Sequence, residues 1–149
     1  MQKIIVVSLL ATMMGLLGWG WLPQRSLAAD CAFLHDKINK EKSFIKRRAL
    51  YRQAVEVCTG DASLHYKYAY ELERSRKYEL ALEQYQQAVA LDPTLAKAYF
   101  NMGDIYASQN NLIEARQAYR KGLEFDPDNS RARKNLEAIG STSREGTQP

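Results

Sequence analysis

The chain has 149 residues, a formal charge of +4, and 46% hydrophobic and 26% charged residues. That balance suits one folded domain and excludes an intrinsically disordered chain. Lys3 and Arg25 fall in the leading segment. The remainder of the chain is therefore close to neutral and gives no electrostatic reason to bind nucleic acid.

Residues 1–28 read as an export signal. Lys3 supplies a short positive start, and Ile4 to Leu22 (IIVVSLLATMMGLLGWGWL) is uncharged and mostly apolar. Pro23 breaks the run, and Ser26-Leu27-Ala28 forms a small-x-small cleavage pattern, which places the cut after Ala28, with Ala29 second. The rival is an uncleaved anchor, since residues 4–22 would span roughly 28 Å as a helix. Gly15, Gly18, Gly20 and Pro23 weigh against a long stable span. Asp30 before Cys31 excludes a lipid-attachment site, which needs a small uncharged residue there. The expected location is periplasmic or secreted, with membrane anchoring through residues 4–22 as the alternative.

Cys31 and Cys58 are the two cysteines. An even count in an exported chain reads as one structural disulfide. A redox-active pair is the rival, although such cysteines usually stand two residues apart. A metal site would need more ligands than Cys31, Cys58, His35 and His65 readily supply.

The strongest signal is an internal repeat at an offset of 34 residues. Residues 62–95 align without a gap on 96–129. Ala62 meets Ala96, Ala69 meets Gly103, Ala81 meets Ala115, Tyr85 meets Tyr119, Ala88 meets Gly122, and Asp92-Pro93 meets Asp126-Pro127. Each unit reads as two antiparallel helices, the first near Ser63 to Arg74 and the second near Tyr78 to Leu91. Small residues stand where the helices approach, and the tyrosines fill the remaining space. Pro93 and Pro127 end the second helices. Lys77 and Asn110-Asn111 mark the tight turns within units. After residue 129 a helix near Ser130 to Ile139 uses Leu136 and Ile139 to cover the last unit, and Gly140 is expected to stop it. Residues 141–149 read as a disordered tail.

These positions resemble the tetratricopeptide repeat family. Tyr99, Met102-Gly103, Tyr106, Ala115, Tyr119, Gly122 and Pro127 match its pattern, as do His65, Tyr68-Ala69, Leu72, Ala81, Tyr85, Ala88 and Pro93. The resemblance implies an all-α fold over residues 29–140, a short right-handed α-solenoid of antiparallel helix-hairpin repeats. Its parts are a degenerate repeat at 29–61, repeats at 62–95 and 96–129, and a capping helix at 130–139. The degenerate unit has Arg47 where the second helix needs a small residue and Thr59 where the final proline belongs. Its cysteines fall where a disulfide would staple the open end of the hairpin.

In this family the first helix of each unit lines a concave groove for an extended peptide. The resemblance therefore implies a lining of Ser63, Tyr66, Lys67, Tyr70 and Glu73, then Lys97, Phe100, Asn101 and Asp104, then Arg131, Lys134 and Asn135. Tyr66, Tyr70 and Phe100 are expected to form an aromatic shelf, with Lys67, Lys97 and Asn101 as donors at its edge. Some family members grip a C-terminal carboxylate with lysine and asparagine. Tyr66 and Tyr70 occupy the first of those positions here, so an apolar or aromatic contact with a polar rim is expected instead.

No nucleophile–base set, metal cluster or phosphate loop is legible, so no enzyme activity and no cofactor are expected. The expected function is a non-catalytic adaptor in the cell envelope that binds another protein or peptide. Neither nucleic acid nor a small-molecule substrate is expected, and a membrane is a partner only through an uncleaved residue 4–22 segment. The alternatives are a thiol-redox protein using Cys31 and Cys58, a membrane-anchored subunit of a larger envelope complex, and self-association through the repeat end faces.

Overall fold

The computed structural model describes residues 27–145, so the apolar run at 4–22 and residues 146–149 lie outside the described residues. Among the described residues there are seven helices and no strand. They are α1 (Leu27–Lys40), α2 (Phe44–Val57), α3 (Ala62–Arg74), α4 (Tyr78–Leu91), α5 (Ala96–Ser108), α6 (Leu112–Phe125) and α7 (Ser130–Glu145). Each helix packs on the next in sequence, which builds a short helical-repeat solenoid of three hairpins and a final helix.

The boundaries arise from local chemistry. Asp61 caps α3, its Oδ1 accepting from the Leu64 backbone N–H at 2.9 Å. Asn129 does the same for α7 through Ala132. Arg76 and Asn110 hold the turns inside the second and third hairpins with φ of 57° and 61°. Asparagine tolerates that left-handed backbone well, whereas arginine adopts it at a cost of about 1 kcal/mol or more.

Packing in the two regular hairpins depends on small residues facing rings. A methyl group on Gly103 would lie 2.7 Å from Tyr119 Cε1, so the tyrosine ring lies directly on the α5 backbone. Ala69, Ala81, Ala88 and Ala115 are fully buried, and so are the rings of Tyr85 and Tyr119. One core cluster runs from Leu34 and Ile38 through Tyr51, Leu64 and Leu72 to Ile105 and Ala118. A second joins Phe100, Ala115 and Tyr119 to Ala132 and Ile139 of α7.

The first hairpin is looser, and α1 meets α2 over a shorter stretch than α3 meets α4. Arg47, expected to weaken this unit, has a different role. Its Nε and Nη2 donate to Glu71 Oε1 at 2.9 and 2.8 Å, tying the second helix of one unit to the first helix of the next. Cys31 and Cys58 are disulfide-bonded, with Cα atoms 5.6 Å apart, across the open end of this hairpin.

The structure corrects the C-terminal boundary. Gly140 does not stop α7, which continues to Glu145 through part of the segment expected to be disordered. A mid-helix glycine costs only about 1 kcal/mol relative to alanine, and Ile139 and Ala132 anchor the preceding turns.

This packing makes two substitutions informative. Replacing both cysteines by alanine should lower stability by about 3 kcal/mol in urea denaturation, since the bond restricts the unfolded chain. Gly122→Ala should cost about 1–3 kcal/mol, because the added methyl would stand 2.6 Å from Phe100 Cδ1.

Candidate functional site

The first helices α3, α5 and α7 stand side by side and expose a continuous polar face. Two hydrogen-bond relays form its floor. Tyr85 Oη, carried up from α4, donates to Glu73 Oε2 at 2.6 Å and accepts from Asn101 Nδ2 at 2.8 Å. One repeat later Tyr119 Oη donates to Asp104 Oδ1 at 2.6 Å and accepts from Asn135 Nδ2 at 3.1 Å. Each tyrosine thus buries its ring in its own unit and uses its hydroxyl to join the first helix of that unit to the first helix of the next. Arg131 Nη1 closes on Asp104 Oδ2 at 2.6 Å, and Asn135 Nδ2 also donates to Asp104 Oδ1.

The electrostatics reflect this burial. Desolvation is the main cause that raises the Glu73 carboxyl above the usual range; the Tyr85 hydrogen bond opposes it, Asp104 adds to it, and Arg131 opposes it. Tyr85 is raised far above the ordinary phenol value, first by burial and then by its hydrogen bond to Glu73. Tyr119 is raised for the same reasons, with Asp104 in place of Glu73. Tyr66 is raised mainly by burial, and its hydrogen bond with Asn101 opposes the shift.

Most of the expected lining shares this face. Tyr66 is half-buried, its ring 5.7 Å from that of Tyr85. Tyr70 is 47% exposed. Ser63, Lys67, Lys97 and Lys134 are exposed, and Glu73, Asn101, Asp104 and Asn135 are half-buried. Phe100 departs from expectation. It is 2% exposed, sunk against Gly122 of α6, and belongs to the core rather than to a surface shelf. The glycine removes the methyl that Ala88 carries at the equivalent position, and the ring enters that space. The aromatic surface is therefore Tyr66 and Tyr70 alone. Asn101 was expected as an edge donor, but its amide already holds Tyr85.

The residues that sequence reasoning missed are Tyr85 and Tyr119 as polar groups. The repeat pattern presents both as space-filling rings, although a buried phenol needs a partner for its hydroxyl. Their recurrence 16 residues before Asn101 and Asn135 was a visible signal. Among the described residues no group of three or more His, Cys, Asp or Glu is placed to hold a metal ion. His35 Nε2 instead faces Asp61 Oδ2 at 3.0 Å, and His65 Nδ1 faces Gln84 Oε1 at 2.9 Å.

Glu73→Gln tests the floor. The raised carboxyl means that the folded state holds its proton more tightly than the unfolded state. Its favourable contribution is present at low pH and fades as the pH rises through the folded pKa. Glutamine keeps an acceptor for Tyr85 without ionising. The stability of Glu73→Gln relative to the parent should increase as urea titrations move from about pH 4 to neutral; an unchanging difference would count against the assignment.

Comparison with known proteins agrees with this geometry. The family model described as a tetratricopeptide repeat matches residues 96–129, and one described as a TPR repeat matches residues 76–110. The uncharacterized protein ycf37 of Guillardia theta is 30% identical over 107 residues, covering 72% of this chain and 60% of that protein. The chain thus spans less than two thirds of that relative's length. Among solved structures, the first TPR of Spaghetti (RPAP3), bound to the HSP90 peptide SRMEEVD, superposes with a TM-score of 0.68 at 25% identity, covering 76% of this chain and 93% of that one. The Arabidopsis OM64 TPR domain gives 0.69 at 20% identity, covering 78% and 99%, a likeness of fold. Repeat spacing, hairpin packing and these matches agree that the chain belongs to the tetratricopeptide repeat family.

Proposed function

We propose that this chain is a non-catalytic protein-interaction module that holds an extended polypeptide segment on the face formed by α3, α5 and α7. One observation carries the reading: Tyr70 is 47% exposed beside half-buried Tyr66, on a floor whose polar groups are already ordered. An exposed ring on a rigid support loses little conformational entropy on binding and presents a large contact area. The similar RPAP3 domain is bound to the peptide SRMEEVD, which supports peptide binding as the use of this fold.

The peptide chemistry should differ from that acidic sequence. Glu73 and Asp104 stand at the centre of the face, and Arg131 is already engaged by Asp104. A terminal carboxylate there would meet two acidic groups. The segment bound is therefore one with an apolar or aromatic residue for the tyrosine pair and neutral polar flanks, whose carbonyl groups accept at the rim from Ser63, Lys67 and Lys97.

The setting belongs to the same proposal. The apolar run at residues 4–22 and the small-residue pattern ending at Ala28 support export to the cell envelope, where the Cys31–Cys58 bond is chemically stable.

A photo-crosslinking residue at position 70 should capture a discrete partner in the cell envelope, whereas one at the remote exposed position Glu83 should not. Tyr70→Ala, with Lys97→Glu, should weaken binding of that partner by about ten-fold or more, since exposed anchors of this kind contribute about 1–2 kcal/mol each. Equal capture from both positions, or unchanged affinity in the double variant, would remove the proposal. The peptide SRMEEVD should show no saturable binding.

A further inference from the structure

Along α3, Tyr66, Tyr70 and Glu73 follow one another at steps of four and three residues, so they form one stripe on the proposed binding face. Tyr66 and Glu73 are half-buried, and Tyr70 is the exposed member. The stripe sets two rings beside one carboxylate. The two acids of the face are not equivalent. Asp104 is fully engaged: its Oδ1 accepts from Tyr119 and Asn135, and its Oδ2 accepts from Arg131 at 2.6 Å. Glu73 accepts only from Tyr85, through Oε2, and its Oε1 has no hydrogen-bond partner among the described residues. Nor is its charge balanced. Asp104 and Arg131 are the charged groups that act on it, and Arg131 is already closed on Asp104. Two carboxylates and one guanidinium leave one negative charge over, at a position that burial has partly stripped of water.

We infer that Glu73 is a specificity-determining residue of this face and selects an arginine in the bound segment. This selection rests on the binding reading proposed above and names the one charged residue of that segment. The guanidinium donates to Glu73 Oε1 and lies over the ring of Tyr70, next to the apolar residue held by the tyrosine pair. The alternatives at this position fit less well. A neutral donor would satisfy Oε1 but leave the charge uncompensated. A lysine would pair with the carboxylate, but its compact and strongly hydrated ammonium gains less from a flat ring than a guanidinium does. An acidic residue would add a third negative charge. The flanks of the segment stay neutral, because they run past Lys67 and Lys97 at the rim. Asp104 offers no second site of this kind, since both its oxygens are occupied.

The test uses the full chain and labelled peptides of about nine residues, enough to cross three helices packed about 10 Å apart. Each has a central phenylalanine in a serine–glycine background. One neighbouring position, varied along the set, carries arginine, and a matched set carries citrulline, which has a similar shape without the charge. Fluorescence anisotropy should show saturable binding of an arginine peptide and about ten-fold weaker binding of its citrulline twin, the size expected of a charge-assisted hydrogen bond. Glu73→Gln keeps an acceptor for Tyr85 and should bring the two affinities within about two-fold of each other, with helicity retained. A second measurement needs no variant. Followed by carbon-13 NMR in the parent chain, the Glu73 carboxyl should titrate at lower pH with the arginine peptide bound than with its twin, because a cation favours the ionised form. Equal affinity for the twins would overturn the selection and leave the groove itself in place. So would an unchanged arginine preference in folded Glu73→Gln, or a Glu73 titration that the arginine peptide does not lower. Tyr70→Ala should weaken both twins alike; unchanged binding of both would count against the groove instead. Binding of no peptide from either set would remove the groove and the selection together.

Discussion

A buried tyrosine with a satisfied hydroxyl is the contact on which this solenoid depends. In α4 and α6 the ring fills the space left by small residues, and Tyr119 lies so close to Gly103 that no side chain fits between them. Burying such a ring is favourable only if its hydroxyl is bonded. Tyr85 and Tyr119 meet that demand with an acid on their own unit and an asparagine on the next. The bond that rescues the buried oxygen therefore also sets how successive units pack.

The same arrangement shapes the candidate binding face. Carboxylates and amides that would otherwise be mobile groups on a concave surface are held in place by the tyrosines beneath them. Glu73 and Asp104 lie in the middle of the face, which gives it an acidic centre between exposed lysines. The proposed segment differs for that reason from an acidic tail, even though the fold is shared with a domain seen bound to one. Fold and ligand chemistry are separable, because the backbone sets where a groove lies while a few side chains set what it prefers.

The ends of the solenoid are treated differently. At the C-terminal end Ala132 and Ile139 of α7 are buried against the last unit. At the N-terminal end a disulfide and the Arg47–Glu71 pair hold a looser hairpin, and the outer surface carries mixed charge. Stacked repeats need terminal surfaces that differ from the internal ones.

The sequence by itself determined the helix hairpins, their register and the paired cysteines, because these rest on local periodicity and on residues whose spacing repeats. It also placed Tyr66 and Tyr70 on one helix face. Only the tertiary structure decided that Phe100 is core, that Asn101 and Asn135 are committed to tyrosine hydroxyls, that Arg47 bridges two units, and that α7 runs past Gly140. Each of these turns on a contact between residues far apart in the chain, or on packing that outweighs a local propensity of about 1 kcal/mol. A repeat frame assigns a position to a side chain, but whether that side chain sinks or stays at the surface depends on one methyl group, present in Ala88 and absent in Gly122, on the helix behind it.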